Sequence, residues 1–461
     1  MCADYRHASA HLVYEDQPQA QPLDTHMPSA HPSTAPAADP TQALYRKITR
    51  KLIPFLCFCY LAAYLDRINI GFAKLQMLGD LQFSETAFGL GAGLFFVGYI
   101  LFEVPSNLLL EKVGARVWIA RIMISWGLLS ACTLLVTTPA QFYVVRFLLG
   151  VAEAGFLPGV LYYLTTWFPT QRRGRIIALF MIGMPLSSVV GGPLSGWIMV
   201  AFDNTAGLRG WQWLFVLEAI PSVLLGILTF WVLPDSHHTA KWLNADEKAL
   251  LEQQLHQDNA EGQNSKHSFR DGFFNLKIWM LGGIDFSILL SAYAMAFWMP
   301  TFIRNAGVAD NFHIGLLTAL PSVAALIGML MIGASSDHHR ERRWHIIVPF
   351  MIGAAAMAAS TFFSDNLLVI VLLFAIASAA IIGAVPVFFS LPATFLKGRA
   401  AATGFALACS LANIAGLVSN SLMGIAIDVT GSSSGALWFF ASCLLVSCLL
   451  VIALPAKVVN R

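Results

Sequence analysis

Twelve long apolar segments, separated by short polar stretches, dominate the chain after residue 45. A helix needs about 20 apolar residues to cross a bilayer, and each segment approaches or exceeds that length. Lipid offers the backbone no hydrogen-bond partners, so such segments form helices. The pattern predicts an all-α integral membrane protein with twelve transmembrane helices, at 49–73, 87–110, 115–137, 140–166, 174–202, 211–234, 275–304, 312–336, 344–363, 366–391, 399–427 and 433–455.

The polar stretches divide these spans into two groups. Residues 1–45 are rich in Ala, Pro and His and lack the apolar core of a signal peptide, so we expect a disordered cytoplasmic tail. Residues 235–272 form a long polar connection, in which Asn244 is placed to cap a surface helix over 240–255. The predicted units are an N-terminal six-helix bundle at 46–234, a C-terminal six-helix bundle at 273–456 and a short tail at 457–461.

Composition excludes a soluble protein and gives no sign of a nucleic-acid partner. Hydrophobic residues make up 57% of the chain and charged residues 12%, whereas a soluble domain carries about 25% charged residues. The formal net charge is only +2. Cys57 and Cys59 cannot share a helix face, so we expect no metal site there, and no cofactor other than a proton gradient.

The positions of the basic residues predict the orientation. They gather after the even-numbered spans, as Lys112, Arg116, Arg172, Arg173, Arg175, Arg340, Arg342, Arg343, Lys397 and Arg399. The opposite loops carry only Lys74, Arg209 and Arg304. Cytoplasmic loops are enriched in Lys and Arg, so both termini are expected in the cytoplasm of a protein that crosses the plasma (inner) membrane many times.

The two halves of the chain echo each other in sequence. The stretch 167–180 after the fourth span resembles 390–405 after the tenth, and 104–118 after the second resembles 333–344 after the eighth. Internal repeats of this kind are typical of transporter folds.

The first span contains Asp66 and Arg67 side by side in an apolar run. Each charge at membrane depth costs about 2.5–3.5 kcal/mol even on lenient scales, so the pair indicates a functional site. The alternative is a self-neutralising pair that stabilises the bundle.

The fourth span carries a second charged face. Arg146, Gly150 and Glu153 recur at i, i+4 and i+7. Gly150, Ala154 and Gly155 are small enough to let another helix approach closely. The alternative for Arg146 and Glu153 is an ion pair that packs helices.

These residue types predict the binding of an organic anion. The planar guanidinium of Arg67 can hold a carboxylate through two hydrogen bonds, with Arg146 as a second cation. Buried carboxylates can take up and release protons near neutrality, so Asp66 and Glu153 are the predicted proton carriers. Tyr64, Tyr99 and Asn413 are predicted substrate contacts, with helix packing as their alternative role.

In these motifs the chain resembles the major facilitator superfamily, and specifically its anion:cation symporter family. The resemblance covers residues 46–455 and rests on LDRINIGFA (65–73), FEVPSNLLLEKVGARVWIARIMISWG (102–127), RFLLGVAEAGFLPG (146–159), WFPTQRRGR (167–175) and GWQWLFVLEAIP (210–221). Bacterial permeases for tartrate, phthalate and 4-hydroxyphenylacetate look most similar.

The resemblance implies two six-helix bundles that rock around a central cavity and expose it to each side in turn. It assigns proton coupling and carboxylate binding to the helix 1 pair, matched here by Asp66 and Arg67, and makes Arg146 and Glu153 their partners. It also implies a cytoplasmic gate locked by Glu111, Arg116, Asp337 and Arg340. The family's gating motif has Gly and Asp where this chain has Asn107 and Glu111, which leaves the local packing there open.

The predicted function is proton-coupled uptake of a small organic carboxylate: an aromatic acid, a hydroxy dicarboxylate such as tartrate, or a sugar acid. The alternative is a proton-driven antiporter that exports drugs or metabolites, because GGPLSG (191–196) partly matches the glycine and proline pattern of such antiporters. An enzyme is not expected, since the chain lacks HExxH, GxSxG and P-loop motifs at a plausible position. The expected partners are the anion, the proton and the bilayer, with the protein a monomer.

Overall fold

The structure, a computed structural model, describes residues 40–262, 276–391 and 399–460. The predicted tail up to residue 39 and the predicted repeat positions Pro392 and Gly398 lie outside these ranges. The helices are α1 (Pro40–Leu81), α2 (Glu85–Val113), α3 (Ala115–Cys132), α4 (Pro139–Glu153), α5 (Phe156–Thr165), α6 (Thr170–Met181), α7 (Gly183–Ala201), α8 (Gly210–Val232), α9 (Ala245–Gly262), α10 (Leu276–Asn305), α11 (Asn311–His339), α12 (Trp344–Ser360), α13 (Leu367–Ile381), α14 (Val385–Phe389), α15 (Arg399–Thr430), α16 (Ser434–Ala453) and α17 (Ala456–Val459).

These helices confirm an all-α membrane protein. In the described ranges, 11 helical segments are long and apolar enough to cross a bilayer, and α12 is a shorter apolar helix. Three of the predicted spans are each built from two consecutive helices: α4 with α5, α6 with α7, and α13 with α14. The described residues contain no strand, only an isolated bridge between Thr205 and Leu208.

Helix α1 starts earlier than the sequence predicts. It begins at Pro40, so residues 40–45, predicted as tail, are helical. Tyr45 packs against Phe168 with ring centroids 5.9 Å apart, and the Arg172 guanidinium lies 4.5 Å from the Tyr45 ring. These contacts attach the first turns of α1 to the loop before α6, which is why an Ala- and Pro-rich segment becomes ordered there.

The fourth crossing breaks directly after Glu153. Gly155 adopts a left-handed conformation with φ of +88°, which glycine accepts without strain. Before the break, a Cβ built on Gly150 would lie 1.9 Å from the Phe95 carbonyl oxygen. The backbones of α4 and α2 therefore meet at a distance that only glycine allows, which confirms that these small residues admit a neighbouring helix.

The molecule consists of a first half, α1–α8, and a second half, α10–α16. We call the end that carries Arg116, Arg172 and Arg340 the basic side, and the end that carries Lys74 the far side. On the far side, the backbone N–H groups of Glu85 and Thr86 donate to Asp428 across the halves, at 3.2 and 2.7 Å.

Glycines bring helices of the two halves together on the far side as well. A Cβ on Gly192 would lie 2.5 Å from the Gly315 carbonyl oxygen, and one on Gly89 would lie 2.3 Å from that of Asn420. Among the described residues, the hydrogen bonds that join the halves through the side chains of Lys74, Thr301 and Asp428 lie on the far side. The structure is therefore closed on the far side.

Helix α9 begins at Ala245, within the region where the sequence predicts a surface helix over 240–255, and it docks on the first half. Asn244 accepts a hydrogen bond from the Glu247 backbone N–H at 2.7 Å, as an N-cap does. Glu247 pairs with Lys47 of α1 at 2.7 Å, and the rings of Trp242 and Trp167 stack with centroids 5.6 Å apart. At its other end, Asp258 accepts hydrogen bonds from the backbone and hydroxyl of Thr170.

Candidate functional site

Arg67 of α1 forms an ion pair with Glu153, the last residue of α4. The Glu153 side chain is 4% exposed and that of Arg67 15% exposed, so the pair is largely withdrawn from solvent. A buried carboxylate and a buried guanidinium are tolerated in this setting because each neutralises the other. Two residues that the sequence analysis placed in one site are thus in direct contact.

Aromatic rings surround the Arg67 guanidinium. Its central carbon lies 5.4 Å from the ring centroids of Tyr99 and Phe95, and 5.9 Å from that of Tyr64. These distances permit cation–π attraction. Tyr293 of α10 is close enough to interact with Arg67 electrostatically, so the second half also borders this site. Of the predicted substrate contacts, Tyr64 and Tyr99 lie next to Arg67.

Arg146 is fully buried on the same face of α4, 5.2 Å from the Phe95 ring that also borders Arg67. Its three guanidinium nitrogens are buried and have no hydrogen-bond partner among the described residues. We call Arg67, Arg146 and Glu153 the arginine cluster. The cluster holds two cations and one carboxylate, so it has one positive charge and a set of donors in excess.

Asp66 points away from this cluster. Its carboxylate accepts hydrogen bonds from Trp126 Nε1 at 2.9 Å, Ser130 Oγ at 3.0 Å and Ser222 Oγ at 2.7 Å. We call these four residues the Asp66 cluster. Consecutive residues of a helix point about 100° apart, so Asp66 and Arg67 enter different surroundings. The predicted alternative of a self-neutralising pair between them is therefore not found.

The sequence analysis missed the role of Lys74. It counted Lys74 as a loop residue, but α1 continues to Leu81 and Lys74 is 3% exposed. Its ammonium pairs with Glu85 at 2.6 Å, donates to Thr301 at 3.1 Å and lies 3.6 Å from the Trp298 ring. Thr301 and Trp298 belong to α10, so Lys74 joins the halves on the far side. The helical pattern of the sequence continues beyond residue 73, and this was the signal that Lys74 lies within α1.

A further buried acid lies in the first half. Glu218 of α8 is 3% exposed and accepts a hydrogen bond from Ser195 Oγ at 2.7 Å, while its second carboxylate oxygen has no partner among the described residues. It is electrostatically coupled to Asp66. An acid within an apolar span was the available signal, but only the structure shows that Glu218 faces the interior of the bundle.

The comparisons with known proteins agree with this architecture. Residues 56–420 match the model of the Major Facilitator Superfamily. The chain belongs to the major facilitator superfamily. It is a multi-pass membrane transporter of that superfamily, and its helical fold is the one expected from the sequence.

Relatives in the superfamily cover almost the whole chain. A Pseudomonas putida protein named for metabolite transport, NicT, is 77% identical over 91% of this chain and 96% of its own length. An Agrobacterium vitis protein named as a tartrate transporter is 42% identical over 89% of this chain and 90% of its own length. A quinolone resistance transporter of Acinetobacter baumannii is 40% identical over 89% of this chain and 95% of its own length.

A solved superfamily structure has the same fold. The bacterial homologue of the lysosomal transporter Spinster, in an inward-facing and occupied conformation, aligns with a TM-score of 0.70 over 88% of this chain and 96% of that one. Its sequence identity is 16%, so the likeness concerns the fold alone.

The predicted gating residues do not form a lock in this conformation of the superfamily fold. Arg116 pairs with Asp235 of the first half at 3.0 Å, and Glu111 is exposed. Asp337 and Arg340, with Ser336, Arg342 and Asn460, line a surface cavity of 450 Å³ on the basic side. The predicted gating role of Glu111, Arg116, Asp337 and Arg340 therefore stays a prediction.

Asn413 lies half-buried in α15, and within the described ranges its side chain forms no hydrogen bond. The amide that bridges helices is instead Asn420, which accepts from Trp298 Nε1 at 3.1 Å and donates to the Gly416 carbonyl at 2.8 Å. The sequence analysis chose Asn413 because it lies in the middle of its helix. The amide that has a partner on another helix is Asn420, further along α15.

Proposed function

We propose that this protein couples the uptake of a small organic carboxylate to proton entry by alternating access. The observation that supports the proposal is the arginine cluster, where Arg67 is paired with Glu153 and the buried Arg146 has no hydrogen-bond partner among the described residues. An unpaired buried cation is costly, and an anionic ligand would remove that cost. A carboxylate matches the fork of donors that each guanidinium presents.

The pairing of Arg67 with Glu153 suggests how proton and substrate are coupled. A substrate carboxylate and the Glu153 carboxylate compete for the same guanidinium. When Glu153 takes up a proton it loses its charge, and Arg67 is released to bind the substrate. Binding of the proton therefore favours binding of the anion, which is the linkage that symport requires. We assign Asp66 as a second proton site. It is adjacent in α1 to Arg67, which pairs with Glu153, the first proton site.

The body of the substrate would contact the rings around Arg67. Tyr64, Phe95 and Tyr99 present apolar faces and two hydroxyl groups, which suits an aromatic acid, a hydroxy dicarboxylate or a sugar acid. The 42% identity to a protein named as a tartrate transporter supports a hydroxy dicarboxylate. We propose Asn413 as a substrate contact from the second half.

We infer from the distribution of basic residues that the protein lies in the plasma (inner) membrane with both termini in the cytoplasm. On this assignment the far side is periplasmic, and the structure represents a state closed to the outside. Reorientation would separate Lys74 from α10 and bring Glu111 and Arg116 to Asp337 and Arg340. We propose that the cytoplasmic gate is locked in that second state.

The proposal is tested with purified protein in liposomes under an imposed pH gradient. Radiolabelled tartrate, benzoate and gluconate are offered outside, at a fixed sodium concentration and without sodium. We expect one of the three classes to accumulate when the outside is acidic, independently of sodium, and external protons to be consumed when it is added. Accumulation that needs sodium, or no accumulation of any carboxylate, contradicts the proposal.

Export by proton exchange is the second candidate, and the 40% identity to a quinolone resistance transporter favours it. The two candidates differ in the direction of proton movement. If substrate and proton travel together, adding substrate outside acidifies the lumen. If they travel in opposite directions, the lumen becomes alkaline, and fluoroquinolone entry rather than carboxylate entry produces the signal.

A further inference from the structure

The connection between the two halves contains a cluster of metal-ligating side chains. His237 and His238 lie in a 3₁₀ turn, His237–Thr239, between α8 and α9. Glu252 lies on α9, and the ligand atoms of these three residues are all within 4.8 Å of one another. The cluster is outside the membrane spans and apart from the arginine cluster, so nothing in the proposed transport cycle uses it.

The local fold holds the histidine turn and α9 together. Thr239 donates a hydrogen bond to the Ser236 carbonyl at 3.0 Å, which closes the turn. Lys248 Nζ donates to the His238 carbonyl at 2.8 Å, which connects the turn to α9. The ion pair of Glu247 with Lys47 fixes α9 against the first half. The ligands are thus positioned by protein contacts before any metal binds.

One histidine nitrogen in the cluster lacks a partner. Nε2 of His237 is buried and, among the described residues, accepts and donates no hydrogen bond. The rings of His237 and His238 lie with centroids 4.0 Å apart, so both imidazoles are directed to one small region. A buried polar atom without a partner is costly, and a ligand for that nitrogen would remove the cost.

A fourth donor lies one helical turn beyond Glu252. Nε2 of His256 is 3.8 Å from the Glu252 carboxylate, as expected for residues at i and i+4. Three imidazoles and a carboxylate form a donor set that suits a tetrahedral Zn²⁺ ion. Mg²⁺ and Ca²⁺ prefer oxygen ligands, so a site rich in imidazole disfavours them.

We propose that His237, His238 and Glu252, with His256 as a fourth ligand, bind a divalent transition metal of the zinc type. Zinc lies about 2.0–2.2 Å from nitrogen and oxygen ligands, and the ligand atoms of His237, His238 and Glu252, which are already within 4.8 Å of one another, reach that geometry by small side-chain rotations. The sequence analysis expected no metal. Residues 237 and 238 come close to residue 252 only because the chain reverses direction between the 3₁₀ turn and α9, which the sequence pattern does not show. A bound ion would tie the start of the connection to α9.

The test is isothermal titration of ZnCl₂ into the untagged full-length protein in detergent, with thermal-shift measurements in parallel. We expect one ion per chain at this site and a rise in the melting temperature, since a ligand that binds the folded state stabilises it. Glu252→Gln, which keeps the size of the side chain, and the double variant His237→Ala/His238→Ala should each weaken binding at least about tenfold, as loss of a ligand does.

A matched control is available on the same side of the molecule. His338 and His339 are also adjacent histidines, at the end of α11. The double variant His338→Ala/His339→Ala should bind zinc as the unaltered protein does. Unchanged affinity in Glu252→Gln and in His237→Ala/His238→Ala, or an equal loss in the control variant, would overturn the proposal. Neither result depends on which solute the protein carries.

Discussion

Asp66 and Arg67 are neighbours in the chain, but they belong to two clusters of opposite character. In the Asp66 cluster, three donors from α3 and α8 converge on one carboxylate. In the arginine cluster, Arg67 pairs with the single carboxylate, Glu153, and the nitrogens of Arg146 have no partner among the described residues. The first cluster has its hydrogen bonds satisfied and the second does not.

This difference distinguishes residues that stabilise the structure from residues that bind a ligand. Buried hydrogen bonds that are complete stabilise the packing of α1 against α3 and α8. Buried donors that lack acceptors do not stabilise the fold, so their presence calls for a functional explanation. The comparison therefore gives Asp66 a role in helix packing in addition to its proposed role as a proton site, and it assigns anion recognition to Arg67 and Arg146, although a single helix carries the first two.

The largest expected effect follows from Arg67→Lys. A lysine keeps the charge but replaces the planar guanidinium, which can donate two parallel hydrogen bonds to a carboxylate, with a compact ammonium group. One charge-assisted hydrogen bond of about 1.5–3 kcal/mol is therefore lost. Substrate uptake into liposomes should fall about tenfold to a hundredfold. The control is Arg209→Lys, at a partly exposed arginine on the far side that pairs with Asp80 at 3.0 Å. Uptake unchanged by Arg67→Lys would remove Arg67 from the binding site.

Glu153→Gln should have a narrower effect. The amide cannot take up a proton, yet it leaves Arg67 free, so exchange of labelled for unlabelled substrate should persist while accumulation driven by a pH gradient is lost. Both quantities are measured in the same liposomes. Asp365→Asn, in the exposed loop after α12, serves as the control. Accumulation that survives Glu153→Gln would place the coupling proton elsewhere.

Asp66→Asn should lower the stability of the protein more than Glu153→Gln does. The amide nitrogen would face donors such as Trp126 Nε1, and a buried donor left without an acceptor costs about 1–3 kcal/mol. The melting temperature of the purified protein should fall, and it should fall more than in Glu153→Gln. Equal melting temperatures for the two variants would end the distinction between the clusters. Loss of gradient-driven accumulation alone, with stability intact, would instead support a proton on Asp66.

Tyr99 offers the smallest and most selective test. Tyr99→Leu removes the ring that lies 5.4 Å from the Arg67 guanidinium, and a cation–π contact contributes about 0.5–1 kcal/mol. The substrate KM should rise about two- to fivefold. Tyr99→Phe keeps the ring and should leave KM unchanged. A rise in both variants would show that the hydroxyl group, and not the ring, contacts the substrate.

Local patterns in the sequence predicted local structure well. The spacing of Arg146, Gly150 and Glu153 placed them on one helix face, and the structure has α4 end at Glu153 with Gly150 against α2. Such predictions succeed because the helix repeat alone fixes which residues share a face.

The partners of Asp66 could not be predicted in the same way. Trp126, Ser130 and Ser222 are ordinary residues in distant helices, and only the packing of those helices brings them to one carboxylate. Lys74 was misplaced for a related reason. Its burial also depends on the second half covering it, and that is not encoded within a few residues of position 74.

The crossing of α7 and α11 at Gly192 and Gly315 has a consequence for how the far side opens. Here the main chains of the two halves come into close contact, with the Thr318 hydroxyl group beside Gly192. Closure at this point depends on shape and so should be indifferent to ionic strength. Replacing Gly192 or Gly315 with alanine would add a methyl group that separates the two halves at this crossing without a change of charge.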